Sequence, residues 1–343
     1  RDADGADVVL DEAAGVRLRV TAAGAQERLE TPWGTFVREH DARGRVVALE
    51  MPAGVFRLGH DAHGQRQTLV YPNGVMSLVQ HDGLGRPVSI STRGRQDEPV
   101  LDLRHTFSSR HERARTTRDG AATTHELDAA GRLIASGGRT WRFDADGNRI
   151  RSHLVEATFD IFGRLEARGH ERAEHDAAGR LVRLGEDAFE YDALGRLSRV
   201  RRAGRPEVRY AWDALGRLAA RTEAGRTTRY VWDDSRLLAE LAEDGALERL
   251  WVYGPELDEP LAYRDGADGP WCFLHQDDLG HVLAYSGAVG RRVDRVVMDP
   301  WGEVLRAPAS ARPLFYAGRM LDPTTGLVLM RARPYDPALG RFL

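Results

Sequence analysis

An all-β fold, a long meandering antiparallel sheet assembled from repeated hairpins, is what this sequence predicts, and three observations carry the prediction. Five aspartates, Asp128, Asp144, Asp160, Asp176 and Asp192, fall sixteen residues apart, and each stands three residues before a glycine: Gly131, Gly147, Gly163, Gly179 and Gly195. Between these sites lie short stretches that alternate apolar and polar residues, such as Val208, Tyr210 and Trp212 with Arg209 and Ala211 between them. Glycine and proline, 36 and 15 of the 343 residues, punctuate the chain too densely for helices to dominate.

The recurring word is an aromatic or His, Asp, two variable residues, Gly, usually Arg, then an aliphatic, as in Tyr191-Asp192-Ala193-Leu194-Gly195-Arg196-Leu197. Trp212-Asp213 with Gly216 repeats it, and versions occur at Asp41, Asp61 and Asp82. Looser ones follow at Asp277, Asp299 and Asp336. Asp at the first position of a type I turn accepts a hydrogen bond from the backbone two residues on, and Gly at the fourth tolerates positive φ, so the word is a turn. A plainer set of turns, Tyr71-Pro72-Asn73-Gly74, Arg202-Ala203-Gly204 and Glu223-Ala224-Gly225, falls midway between words. Each period of about sixteen to twenty-two residues therefore holds two strands, and the unit is a β-hairpin. A lone hairpin cannot bury its apolar face, so the units stack into one continuous sheet. The best helical candidate is Ser235 to Leu247, a single stretch with a glycine in it.

Composition fits a folded soluble protein: 42% hydrophobic, 29% charged, mean hydropathy −0.46. All 49 basic residues are Arg, net charge is −3, and Arg is interleaved with Asp and Glu, which gives no electrostatic case for nucleic acid. The single cysteine, Cys272, excludes an intramolecular disulfide scaffold and a Cys-based zinc site. No run of eighteen apolar residues would span a membrane as a helix, and neither a metal site nor a cofactor is called for. His60 and His63 are three apart on a turn with no third ligand in view. His40, His60, His81 and His175 occupy the slot that Tyr, Trp or Phe fills elsewhere and read as aromatic stand-ins. Regular recurrence explains the aspartates as turn formers rather than catalytic carboxylates. Trp212-Asp213 and Trp232-Asp233 suggest a WD40 propeller, but a blade needs some forty residues and this period is about half of that.

The Tyr-Asp-x-x-Gly-Arg-Leu word resembles the YD repeat of bacterial Rhs proteins, wall-associated polymorphic toxins, insecticidal toxin-complex subunits and animal teneurins. The last fifty residues are similar, in order and spacing, to the Rhs core-associated region. They run through Met298-Asp299-Pro300-Trp301-Gly302-Glu303, Phe315-Tyr316-Ala317-Gly318-Arg319, Asp322-Pro323-Thr324-Thr325-Gly326-Leu327 and Met330-Arg331-Ala332-Arg333-Pro334-Tyr335-Asp336-Pro337-Ala338-Leu339-Gly340-Arg341-Phe342-Leu343. The resemblance implies a repeat array over 1–295 and a core-associated closing region over 296–343, the sheet being coiled into part of a hollow shell.

It further implies a structural role, enclosing a C-terminal toxin domain of the same polypeptide. Further implied partners are upstream repeats, a secretion spike or adaptor such as that of type VI secretion, and an immunity protein acting only through the toxin. Synthesis would be cytoplasmic, followed by export. In that family an aspartyl-protease-like self-cleavage separates shell from toxin, its catalytic aspartates lying beyond the position of Leu343. Arg333 matches the family arginine that supports the cleavage, although it could equally be a buried partner of Asp322 or Asp336. Asp299-Pro300-Trp301-Gly302 reads as one more turn. An alternative is surface or carbohydrate binding through Trp33, Trp141 and Trp271, which requires those side chains to be exposed.

Overall fold

The computed structural model describes residues 7–11, 16–310, 312–331 and 333–343. No helix occurs among them. Thirty strands, from Asp7–Asp11 to Arg292–Arg295, form one antiparallel sheet in which each strand pairs with the next in sequence. This follows from the word itself. At Asp192 the Gly195 N–H donates to the Asp192 carbonyl at 2.9 Å, and the Asp192 N–H donates to the Arg196 carbonyl at 2.8 Å. Register then slips by one residue between Glu190↔Arg199 and Tyr191↔Leu197. A type I turn followed by a left-handed glycine and a bulge is the three-residue hairpin whose twist matches that of its strands.

The sheet coils back over itself. Strands between Leu18 and Leu103 share one apolar core with strands between Val231 and Ala284. A second core joins residues 165–285 to residues 296–339. Neighbouring positions of Leu247–Tyr253 divide between the two: Leu250 and Val252 enter the first, Trp251 the second. The stretch from Tyr230 to Tyr285 is thus a middle layer covered on both faces. Polar contacts over 165 to 214 residues of sequence pin the outer layer to it. Tyr71 Oη donates to the Leu274 carbonyl at 2.9 Å, Asn73 Nδ2 to Ser286 Oγ at 2.9 Å, and Arg118 to the Leu283 carbonyl at 2.8 Å. His275, wholly buried against Tyr71 and 2.8 Å from Ser286 Oγ, is pushed by burial down to a pKa of about 3 and is neutral.

Double coverage also corrects one expectation. The helical candidate Ser235 to Leu247 contains the strand Arg236–Leu241, then a turn closed by Gly245 N–H donating to the Ala242 carbonyl at 3.0 Å, then the start of Leu247–Tyr253. Leu238, Ala239 and Leu241 enter one core while Leu237 enters the other. A strand buried on both faces loses its alternation and shows a continuous apolar run that imitates a helix.

Beyond Arg295 come a short hairpin, Val297–Met298 with Val304–Arg306, and a five-stranded sheet. Leu314–Tyr316, Arg319–Leu321, Val328–Met330, Arg333–Asp336 and Arg341–Phe342 pair in chain order. This closing sheet lies against the face of the wall that does not meet the outer layer.

Candidate functional site: the closing sheet and its seat on the wall

Every letter of the word has a contact. Asp192 Oδ1 accepts the N–H groups of Leu194 and Arg196, both at 2.9 Å, and Oδ2 accepts Arg196 Nε at 2.7 Å. Asp128, Asp160, Asp176 and Asp213 are held in the same way by Arg132, Arg164, Arg180 and Arg217, while Asn148 serves Asp144. Gly131, Gly147, Gly163, Gly179, Gly195 and Gly216 all have φ between +72° and +88°. The arginine hydrogen bond, seconded by the backbone, takes the Asp41 carboxyl down to a pKa of about 2. At Asp192 burial opposes the same bonds and they prevail, leaving its pKa below the ordinary carboxylate value.

The arginine is the letter to which the sequence assigned no contact, and at Arg196 the structure supplies two. Its side chain is 17% exposed, and besides Asp192 it reaches the Asp213 carbonyl at 2.9 Å. Arg132 reaches the Asp144 carbonyl at 2.8 Å and Arg217 the Asp234 carbonyl at 2.9 Å, each in a turn further along the chain. Arg132 also lies over Phe143 and Arg180 over Tyr191. The aromatic letter looks backward: Tyr191 Oη, Trp212 Nε1 and Trp232 Nε1 donate to the carbonyls of Leu181, Leu197 and Leu218, the buried final letters of the preceding words.

The seat of the closing sheet is built from arginines on the wall and carboxylates on the sheet. Asp322, 2% exposed, accepts Tyr210 Oη at 2.8 Å and Arg221 Nε and Nη2 at 2.6 and 3.2 Å, together with the N–H groups of Thr324 and Thr325. Burial alone would raise its pKa, but the Arg221 bonds and charge outweigh it and the pKa is depressed. Tyr210 moves far above 10 through burial and the adjacent carboxylate, so its hydroxyl stays a donor. Asp336, also 2% exposed, takes Arg202 Nη2 at 2.7 Å. Asp299 takes Arg139 Nη1 at 3.2 Å, and its carboxyl is shifted upward by burial. Arg149 donates to the Ala338 carbonyl and Arg341 to the Gly163 carbonyl. The last word of the wall hands over directly. His281 stands where Arg usually does, accepts the Ala317 N–H at 2.8 Å and stacks on Tyr316 at 4.5 Å.

Arg333 does not pair with Asp322 or Asp336, contrary to one sequence expectation. Arg221 and Arg202 already hold those carboxylates, and the exposed Arg333 lies 4.3 Å over the Phe342 ring. Of the three aromatics that surface binding would use, Trp141 is 1% exposed, while Trp33 and Trp271 are half-buried against the first core. Asp299 is the first residue of a turn closed by the Gly302 N–H at 3.0 Å. Cys272 is buried with Sγ 3.0 Å from Arg312, and burial raises the thiol. Among the described residues, no three His, Cys, Asp or Glu side chains converge as metal ligands, and no helix is long and apolar enough to cross a membrane.

A hairpin wall coiled over itself, with a terminal sheet seated on its face through buried ion pairs, defines a β-shell segment. Residues 108–343 match the Teneurin YD-shell family, and the chain belongs to it. It is 25% identical over 219 residues to the tRNA3(Ser)-specific nuclease WapA of Bacillus spizizenii, covering 59% of this chain and 9% of that protein. It is 28% identical over 251 residues to the double-stranded DNA deaminase toxin A of Burkholderia cenocepacia, covering 63% of this chain and 17% of the other. The crystal structure of TcdB2-TccC3-Cdc42 superposes with a TM-score of 0.79 at 16% identity, over 95% of this chain and 20% of that one. The Photorhabdus luminescens Tc holotoxin pore superposes with a TM-score of 0.72 at 16% identity, over 95% and 21%. The chain thus spans about a tenth to a fifth of the length of these relatives.

Proposed function

We propose that the chain is the closing part of an Rhs-type toxin shell, whose coiled wall encloses a C-terminal toxin domain of the same polypeptide until delivery. The seat of the closing sheet carries this reading. Three carboxylates on the closing region, Asp299, Asp322 and Asp336, are buried against three arginines of the wall, Arg139, Arg221 and Arg202. Such pairs fix one register of the terminal sheet against the wall, because any other leaves charges buried and unpaired. A sheet hydrogen-bonded strand to strand and stopped at its end by a seated terminal sheet is a barrier to proteases and solvent, which is what an unreleased toxin requires. The toxin activities named for the two bacterial relatives support the class of cargo. Export, by a route such as type VI secretion with a spike or adaptor, and an immunity protein that recognises the toxin alone, complete the proposal.

Self-cleavage belongs to the proposal for the longer polypeptide. The Arg333 guanidinium has no carboxylate partner among the described residues, so it is available to keep one member of an aspartyl pair ionised while the other donates a proton. The gene product with its natural extension past Leu343, measured by intact mass beside Arg333→Ala, tests both parts. Two fragments that co-elute and resist added protease, becoming one uncleaved chain in the variant, are expected. Fragments that separate on size exclusion, or a toxin digested as fast as an unfolded control, would overturn the enclosure.

A further inference from the structure

A cavity of about 520 Å³ lies between the wall and the closing sheet, with Trp212, Tyr230 and Trp232 on one side and Met320 and Leu329 on the other. Interiors pack with few voids larger than a water molecule, whereas ligand sites occupy about 300–1,000 Å³ and are lined mainly by apolar and aromatic groups. The indole N–H groups of Trp212 and Trp232 are already donated to wall carbonyls at 2.7 and 2.8 Å, so no indole N–H is left needing a ligand.

Five charged side chains line the cavity, Arg217, Arg319 and Arg331 with Asp234 and Asp258. Arg217 is held by Asp213, and Arg319 Nη2 meets Asp258 at 2.5 Å. Arg331, exposed and on the same lining, makes no side-chain hydrogen bond or ion pair among the described residues. Burial lowers the Arg319 pKa despite Asp258, and the neighbouring Arg331 charge lowers it further, so two guanidiniums repel across one carboxylate. Arg331 also has φ +57°, held by its N–H donating to the Leu329 carbonyl at 3.1 Å, a left-handed backbone that is costly for a residue with a side chain. The close approach of the two walls is itself exacting. At Gly318 an added Cβ would lie 1.8 Å from the Asp258 carbonyl oxygen.

We propose that this cavity binds a flat aromatic group carrying a carboxylate or similar anion, the ring between the wall aromatics and Met320, the anion on Arg331. The site goes beyond the shell reading and stands whether or not a toxin is enclosed. Asp234, also on the lining, makes a cationic ligand the direct competitor, so the test sets the two against each other.

Titration calorimetry of the full-length protein with indole-3-acetate, indole-3-acetamide and tryptamine separates them by charge at constant ring. Indole-3-acetate is expected to bind at least ten-fold more tightly than either of the others. Arg331→Gly, which suits the left-handed backbone and so keeps the fold, is expected to erase that preference, and Arg331→Gln to do the same. A blocked Phe-Asp peptide identifies the source: tighter binding than indole-3-acetate assigns the site to a peptide segment, weaker binding to a free aromatic acid, and either upholds the chemistry. Equal binding of the amide, tighter binding of tryptamine, a preference that survives Arg331→Gly, or no binding at millimolar concentration would overturn it.

Discussion

Replacing Asp322 by Ala removes the centre of the seat. Its carboxylate accepts five hydrogen bonds, three from side chains on the wall and two from the backbone of its own turn, and all five donors lose their acceptor at once. The Arg221 side chain is 15% exposed and cannot fully regain water where it stands. Breaking a buried pair by removing one partner costs about 3–5 kcal/mol, and because Arg221 keeps Glu223 at 2.8 Å the loss here belongs at the lower end of that range. Tyr210→Phe, which takes away one donor and strands nothing charged, should cost only about 1 kcal/mol. Arg221→Met joined to Asp322→Ala should be less damaging than the sum of the single changes, with a coupling of about 1–3 kcal/mol. Urea unfolding followed by tryptophan fluorescence measures the parent, the three single variants and the double variant, and limited trypsin digestion reports the closing sheet separately through Arg319 and Arg341. Strictly additive losses, or an Asp322→Ala loss below about 1 kcal/mol with the closing sheet still protected, would refute the seat as a structural latch.

Gly195→Val is expected to lose about 1 kcal/mol or more, because φ is +78° and the new Cβ would stand 3.1 Å from Arg180 Nη1, while Ala193→Val changes little; equal melting temperatures would remove the left-handed requirement. Arg196→Ala is expected to cost about 1–2 kcal/mol through its bonds to Asp192 and the Asp213 carbonyl, and a loss indistinguishable from that of the more exposed Arg209→Ala would count against the forward link. Acid should destabilise the wall. The folded pKa values of Asp322, Asp41 and Asp192 lie below their unfolded value of about 3.9, so their contribution is complete above about pH 4 and is lost as pH falls through the folded values. Asp299 and Glu240, raised by burial, act in the opposite sense above about pH 4. Thermal unfolding of Asp322→Asn from pH 7 to pH 2 should therefore show a shallower acid decline than the parent, and parallel curves would contradict the shift.

The hairpin wall was legible because its instructions are local. Asp and Gly three apart dictate a turn by hydrogen bonding and φ alone, with no need to know what lies across the sheet. An arginine stood four residues after the Asp at most repeats, and that regular spacing was the signal that could have placed it on the carboxylate. Alternation alone assigns faces without showing how a long side chain bends back. The Ser235 to Leu247 error arose at the one region with two buried faces, where periodicity carries no information about which face is which. The seat was illegible for another reason. Arg221 and Asp322 are 101 residues apart and Arg202 and Asp336 134 apart, and nothing in either local sequence names its partner.

Three of the word arginines give the wall a direction. Arg132, Arg196 and Arg217 each reach forward to a carbonyl of the next turn, so a hairpin is completed only by its successor. A chain leaving the ribosome would close each unit when the following one emerges, and at every stage the newest hairpin would be the loosest. Shortening from the carboxyl side uncaps a guanidinium at each of these links, whereas shortening from the amino side uncaps none of them. At Asp277 the series stops: His281 receives the Ala317 N–H, and a histidine acceptor takes over where the donors had pointed onward. The forward contacts thus run along the wall and pass, at His281, from the wall to the terminal sheet.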